Sequence, residues 1–316
     1  MKLLIARPMT AAVEERARAE FDTEFRSSTL PMSPDEMRRA LSEFDVVVPT
    51  LGDQFSAEIF AEVPEPRCKL LANFGVGYNH IDVAAAQAAG VQVTNTPGAV
   101  TDATADIAMT LLLMTARRAG EGERLVRSGK WQGWHPTQML GHHVTGKRVG
   151  IVGMGRIGQA IAWRCHFGFG MDVAYQSRSP KEVEFPAENI LNLEELAAAV
   201  DFLVLAVPGG AETHHLINAQ VLEAMKPSGI LINIARGEVV DEAALIAALL
   251  SGQIAGAGLD VYEFEPTVPQ ALCDMENVTL LPHLGTATEE VRTDMGNMAL
   301  DNVAAFAEGR LLPNPV

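Results

Sequence analysis

The chain has 316 residues, 48% apolar and 20% charged, with 27 Gly and 17 Pro dispersed along it; at roughly 150 residues per domain this means about two domains, and a disordered, collagen-like or low-complexity chain is excluded. Forty acidic against 24 basic side chains leave a formal charge of -16, which repels phosphate backbones and anionic lipid and argues against nucleic acid or a membrane surface as partner. Any small anionic ligand must be held by a local cluster of positive charge.

From the N-terminus, the run Leu3–Ala6 is too short for the apolar region of a signal peptide and reads as a first strand. Further strands are expected at Val46–Pro49, Leu70–Phe74 and Val91–Asn95, with helices near Ala12–Glu20 and Asp35–Leu41, which together make one small doubly wound unit. A long helix follows from about Ala99 to Arg118, with cap candidates in Thr101-Asp102-Ala103-Thr104 and apolar positions Ile107, Leu111 and Met114 at helical spacing. Met109 belongs to the apolar stripe around them and reads as core. After the segment Lys130-Trp131-Gln132-Gly133-Trp134-His135-Pro136, a second alternation predicts six strands: Arg148–Val152, Met171–Tyr175, Phe202–Val207, Ile230–Ile234, Gly256–Val261 and Val278–Leu281. Glu289–Glu308 reads as a closing helix that returns to the first unit. The fold class is therefore α/β, with two doubly wound parallel-sheet, Rossmann-like domains and a cleft between them: residues 1–98 with 286–316, and residues 99–285. No stretch approaches the length of a membrane-spanning helix.

The three cysteines, Cys68, Cys165 and Cys273, are far apart and form no CxxC pair, which argues against a disulfide framework or a zinc site and fits a reducing cytoplasm. Cys165 and Cys273 read as buried thiols. His142-His143 and His214-His215 are adjacent pairs rather than i, i+4 ligands on a helix, no acid cluster in the sequence completes a site, and no metal is assigned.

The strand Arg148–Val152 runs into Gly153-Met154-Gly155-Arg156-Ile157-Gly158 and then a helix-compatible stretch. In this context the first glycine allows a tight turn, the second admits a pyrophosphate to the backbone and the third lets helix and strand pack closely, while the helix N-terminus offers N–H groups to the phosphates. An NAD-specific turn expects an acid about 20 residues beyond the glycines to bond the ribose hydroxyls. Here the position holds Ser177, followed by Arg178. The missing carboxylate and the added guanidinium predict NADP(H) as the preferred cofactor, with NAD(H) possible; the alternative reading of Arg178 is an ordinary solvated loop charge.

Three polar residues stand where strands should end: Arg236 after Ile230–Ala235, Glu265 after Leu259–Val261, and His283 after Leu280-Leu281-Pro282. Ligands of open α/β sheets bind at the carboxyl ends of the strands, so all three could reach one crevice. Reduction of a 2-oxo acid needs a cation for the carboxylate, an acid for the carbonyl oxygen and a carboxylate beside that acid.

Asn233-Ile234-Ala235-Arg236-Gly237, Asp260-Val261-Tyr262-Glu263-Phe264-Glu265-Pro266 and Leu281-Pro282-His283-Leu284-Gly285-Thr286 resemble the three signatures of the D-isomer-specific 2-hydroxyacid dehydrogenase family. The likeness extends upstream to Asn73-Phe74-Gly75-Val76-Gly77-Tyr78-Asn79-His80-Ile81-Asp82 and Thr101–Asp106, and spans essentially the whole chain. It implies that Arg236 grips the substrate carboxylate, His283 donates a proton and Glu265 bonds the other imidazole nitrogen. It also implies that Val76 and Gly77 N–H groups bind the carboxylate, and that Thr104, Arg156, Ile157, Pro208, Thr213 and Asp260 contact the cofactor, beside the turn glycines Gly153, Gly155 and Gly158; Gly285 is counted with the cofactor-binding residues. Within the family the closest likeness is to glyoxylate/hydroxypyruvate reductases, which implies a small-molecule 2-oxo acid substrate. Trp131 and Trp134 resemble the loop in which the second tryptophan, here Trp134, reaches into a partner's active site; the alternative is that both are buried in a dimer contact, and both readings require a homodimer. Leu51 and Phe74 either line the substrate side or belong to the core. The alternatives kept open are reduction of a phenylpyruvate or branched-chain oxo acid, and a non-catalytic, cofactor-sensing corepressor.

Overall fold

Short runs of three to five residues, apolar on both faces, set the architecture: such strands must be covered by helices on either side, and a parallel sheet is the arrangement that does this. The computed structural model describes residues 1–316 and divides them into two units, Met1–Val100 with Thr286–Val316, and Thr101–Gly285. No helix is long and apolar enough to cross a membrane.

The first unit holds β1 (Lys2–Ile5), β2 (Asp22–Phe25), β3 (Val46–Val48), β4 (Leu70–Ala72) and β5 (Gln92–Thr94), all parallel, in the order β2-β1-β3-β4-β5. Val46 pairs with both Leu3 and Leu70, so three apolar strands form the buried centre. Helix Pro34–Glu43 starts on a full capping box, in which Ser33 and Glu36 each satisfy the other's backbone N–H. The helix Glu289–Ala307 packs on β4 and on helix Ala11–Glu20, where Gly296 leaves room for Val13. β2 lies outside the expected set of strands. It is an edge strand whose Asp-Thr-Glu-Phe sequence is partly exposed, so it carries no apolar run to announce it.

The second unit holds β6 (Arg148–Val152), β7 (Asp172–Gln176), β8 (Ala187–Asn189), β9 (Phe202–Leu205), β10 (Ile230–Asn233), β11 (Gly256–Leu259) and β12 (Val278–Leu280), again all parallel. Their order, β12-β11-β10-β9-β6-β7-β8, reverses between β6 and β9, the switch point where doubly wound sheets bind ligands. The sheet has seven strands rather than the six expected; β8, Ala-Glu-Asn at an edge, is the one added. The helix Thr101–Ala116 lies against β10 and β11. It comes so close that a Cβ on Gly258 would stand 3.0 Å from Leu111 Cβ. Met109 is buried in the core of this unit.

Candidate active site

The turn after β6 is shaped by its glycines. Gly153 has φ +96, and a Cβ there would stand 2.6 Å from Ala206 O, so the turn excludes any other residue. A Cβ on Gly158 would lie 2.1 Å from Gly153 O, which holds the helix Arg156–Trp163 tight against the turn. Gly155 by contrast has nothing within 4 Å of where a Cβ would be, and it begins the helix without any side-chain cap. Open space before a run of free helical N–H groups is what a diphosphate needs, so the residues present fit a dinucleotide cofactor. Arg156 is exposed and Ile157 half-buried beside this opening. Ser177 directly follows β7, and the Arg178 side chain is 91% exposed, paired at 3.4 Å with an equally exposed Glu212. Thr213 Oγ1 donates to Pro208 O over 2.7 Å and closes the loop after β9.

The strand ends next to this turn carry the charged groups. Asn233, fully buried at the end of β10, donates from Nδ2 to Arg236 O and accepts from Ala235 N–H, which folds the chain back and fixes the Arg236 backbone. At Gly237 a Cβ would fall 1.8 Å from the carbonyl carbon of Tyr262, so the loop after β10 lies directly on the loop after β11. This contact brings Arg236 beside Glu265. Burial holds the Arg236 guanidinium below its ordinary pKa, opposed by the charges of Glu265 and Glu238. The guanidinium donates to Ala235 O and forms no ion pair within the chain.

Glu265 Oε2 lies 2.9 Å from His283 Nδ1, both side chains being about 30% exposed, and Glu265 Oε1 accepts from Tyr262 N–H. Burial pushes the Glu265 carboxyl up, but the hydrogen bond and charge of His283, the Tyr262 N–H and the charge of Arg236 outweigh it and hold the group below the ordinary carboxylate value. The second ring nitrogen, Nε2, is left for another partner. His283 has φ +55, a left-handed backbone that costs a non-glycine residue about 1–2 kcal/mol.

Asp260 restrains that strained segment. His283 N–H donates to Asp260 O, while Leu284 and Gly285 N–H groups donate to its two carboxylate oxygens at 2.6 and 2.8 Å. Thr104 Oγ1 adds a bond to Gly285 O. Burial raises the Asp260 carboxyl, and the two N–H donors oppose it in part. The sequence pattern pointed to Thr104, Asp260 and Gly285 as cofactor contacts; their bonds within the chain hold the His283 segment in place. Nothing in their spacing announces that role.

In the first unit, buried Asn73 at the end of β4 donates from Nδ2 to Gly75 O and Gly77 O, and its Oδ1 lies 3.0 Å from His80 Nε2. The Asn95 amide holds Val76 O. Val76 and Gly77 N–H groups donate to no group of the chain, so the loop presents two adjacent donors. Phe74 is buried, with the Arg292 guanidinium 5.9 Å over its ring, and Leu51 is exposed, its carbonyl held by Arg7. Trp131 and Trp134 are exposed, Trp134 at 78%. Cys165 is buried, its thiol pushed up to about 12, but Cys273 is exposed, a correction to the buried reading. It stands on the helix Gln270–Asp274, whose inward residue is Leu272.

Residues 109–285 match the model of the NAD-binding domain of D-isomer-specific 2-hydroxyacid dehydrogenases. A glyoxylate reductase of Thermococcus onnurineus is 44% identical over 322 residues, covering 100% of this chain and 95% of its own. A glycerate dehydrogenase of Hyphomicrobium methylovorum is 36% identical, covering 98% and 96%. Among solved structures, an NADPH-dependent glyoxylate/hydroxypyruvate reductase of Sinorhizobium meliloti, in complex with NADP and malonate, superposes with TM-score 0.88 at 38% identity, covering 100% of this chain and 96% of that one.

Proposed function

The chain belongs to the D-isomer-specific 2-hydroxyacid dehydrogenase family, and from that premise we propose that it reduces a short 2-oxo acid, glyoxylate or hydroxypyruvate, to the D-2-hydroxy acid, with NADPH preferred over NADH. The observation that carries this reading is Arg236: a half-buried guanidinium with no ion pair in the chain, beside a histidine–carboxylate pair at 2.9 Å. A shielded cation without a counter-ion is a receptor for an anion, and the adjacent pair supplies the proton that a carbonyl reduction requires.

In this mechanism Arg236 binds the substrate carboxylate and draws electron density from the neighbouring carbonyl. Val76 and Gly77 N–H groups, which the family resemblance assigns to the substrate, are two further donors suited to a carboxylate. Glu265 takes the Nδ1 side of His283, so the proton to be given stands on Nε2 and passes to the oxygen of the reduced carbonyl. The nicotinamide, when bound, supplies the hydride. Gly153, Gly155, Arg156, Ile157 and Gly158 would hold its diphosphate at the start of the helix Arg156–Trp163, with Thr104, Pro208, Thr213, Asp260 and Gly285 bordering the cofactor.

The preference for NADPH is supported by Ser177 in place of an acid and by Arg178, whose exposed pair with Glu212 is weak and leaves the guanidinium available to a 2′-phosphate. The proposed homodimer is supported by Trp131 and Trp134, whose rings are exposed on one segment. Oxidation of NADPH and NADH is to be followed against glyoxylate, hydroxypyruvate, pyruvate and phenylpyruvate. The highest kcat/KM is expected for glyoxylate or hydroxypyruvate with NADPH; fastest turnover of phenylpyruvate would overturn the substrate, and a preference for NADH would overturn the role of Arg178.

A further inference from the structure

The fold brings Glu263, 48 residues further along the chain, to an adjacent histidine pair. His214 and His215 stand in the loop after β9, with their rings stacked at 4.0 Å between centroids. His215 Nε2 lies 2.8 Å from Glu263 Oε1, contributed by the loop after β11, and the three ligand atoms of His214, His215 and Glu263 all fall within 4.8 Å of one another. We propose that His214, His215 and Glu263 form a binding site for one divalent transition cation of the Zn²⁺ class.

Two imidazoles and a carboxylate are the donors that Zn²⁺ and its neighbours favour, whereas Mg²⁺ and Ca²⁺ favour oxygen ligands alone. Tetrahedral bonds of about 2.1 Å separate neighbouring ligand atoms by roughly 3.4 Å. The observed spread, from 2.8 Å to within 4.8 Å, brackets that value, and the exposed His214 is the member free to adjust.

The surroundings hold two of the ligands in place. His215 N–H donates to Glu238 O, fixing the histidine backbone to the loop after β10. Glu263 N–H donates to Glu242 Oε2 and Glu242 N–H to Glu263 Oε2, both at 3.4 Å, so two carboxylates face each other. Burial raises the Glu242 carboxyl, its bond from the Glu263 N–H opposes this, and the charge of Glu263 raises it further. A cation on Glu263 relieves that repulsion and ties together the loops after β9 and β11.

The test is isothermal titration of Zn²⁺ into the full chain carrying Cys273→Ser, which removes the exposed thiol as a competing ligand. One equivalent is expected to bind, and His214→Ala and Glu263→Gln should each lower the affinity more than about tenfold. His214 is exposed, so its variant should keep the fold, which circular dichroism checks. Replacing the exposed His142 and His143 by alanine should leave the affinity unchanged, and Mg²⁺ should not compete. No uptake of Zn²⁺, uptake unaltered by His214→Ala, or loss of uptake with the His142/His143 variant would each overturn the proposal.

Discussion

Asn73 and Asn233 occupy equivalent places in the two units, and what surrounds them differs. Each is buried at the carboxyl end of a central parallel strand, and each uses its amide to hold the loop that follows. The loop behind Asn73 is neutral and leaves two backbone N–H groups without a partner; the loop behind Asn233 turns out Arg236. One bracing device thus serves two kinds of positive group, backbone N–H dipoles in the first unit and a full charge in the second. The charge is the costlier of the two to shield, and it stands beside Glu265 and His283, which hold the neighbouring positions against a strained backbone. The chain's charge of -16 makes such focusing necessary for an anionic substrate.

The sharpest division between the units is chemical, and His283→Ala tests it most strongly. Loss of the proton donor should lower kcat by roughly 10²–10⁴-fold while cofactor affinity, read by fluorescence titration, stays nearly constant. A modest fall in kcat would mean that the second unit does not supply the acid. Next in size is Arg236→Leu, which removes charge-assisted bonds worth about 1.5–3 kcal/mol each and should raise KM and lower kcat together, by about tenfold or more in kcat/KM. Arg236→Lys should recover only part of the loss, because a point charge cannot make the planar two-bond contact. A rise in KM alone, with kcat intact, would reduce Arg236 to uniform binding.

Smaller effects test the bracing itself. Asn233→Ala leaves Ala235 N–H and Arg236 O without their partner, and Asn73→Ala does the same to Gly75 O and Gly77 O. Each should cost about 1–3 kcal/mol in urea unfolding, and each should raise KM for the oxo acid. If Asn73→Ala destabilised the fold without touching KM, the loop Gly75–Gly77 would be a structural turn only, and the parallel between the two asparagines would fail.

The interior strands were legible because each has an apolar centre, and the glycine turn because its spacing reflects steric limits at named positions. The edge strands β2 and β8 were not, since a strand with one neighbour and an exposed flank needs no apolar run. The site was legible where it consists of charged residues directly after strands. It was illegible where buried polar side chains bond backbone groups: Asn73 and Asn233 hold the loop that follows each of them, a local bond with no period, and Asp260 holds a loop 24 residues on, which depends on two loops meeting in space. The side-chain contact of His215 with Glu263, 48 residues apart in sequence, likewise depends on two loops meeting.

The smallest effect expected belongs to Glu265→Gln, and it separates positioning from charge. The amide can still contact His283 Nδ1 but lacks the carboxylate's charge, so kcat should fall, and by less than in His283→Ala. Stability should respond on the acid side. The Glu265 carboxyl is held below its ordinary value in the folded chain, so its charge contributes stability above the unfolded carboxylate pKa, and this is lost as pH falls through the lower folded value. Wild type should therefore exceed Glu265→Gln in urea stability near neutral pH and converge with it on acidification. A gap that persisted at acid pH would assign the loss to packing or to the Tyr262 N–H bond; a kcat equal to that of wild type would leave Glu265 with no part in the reaction.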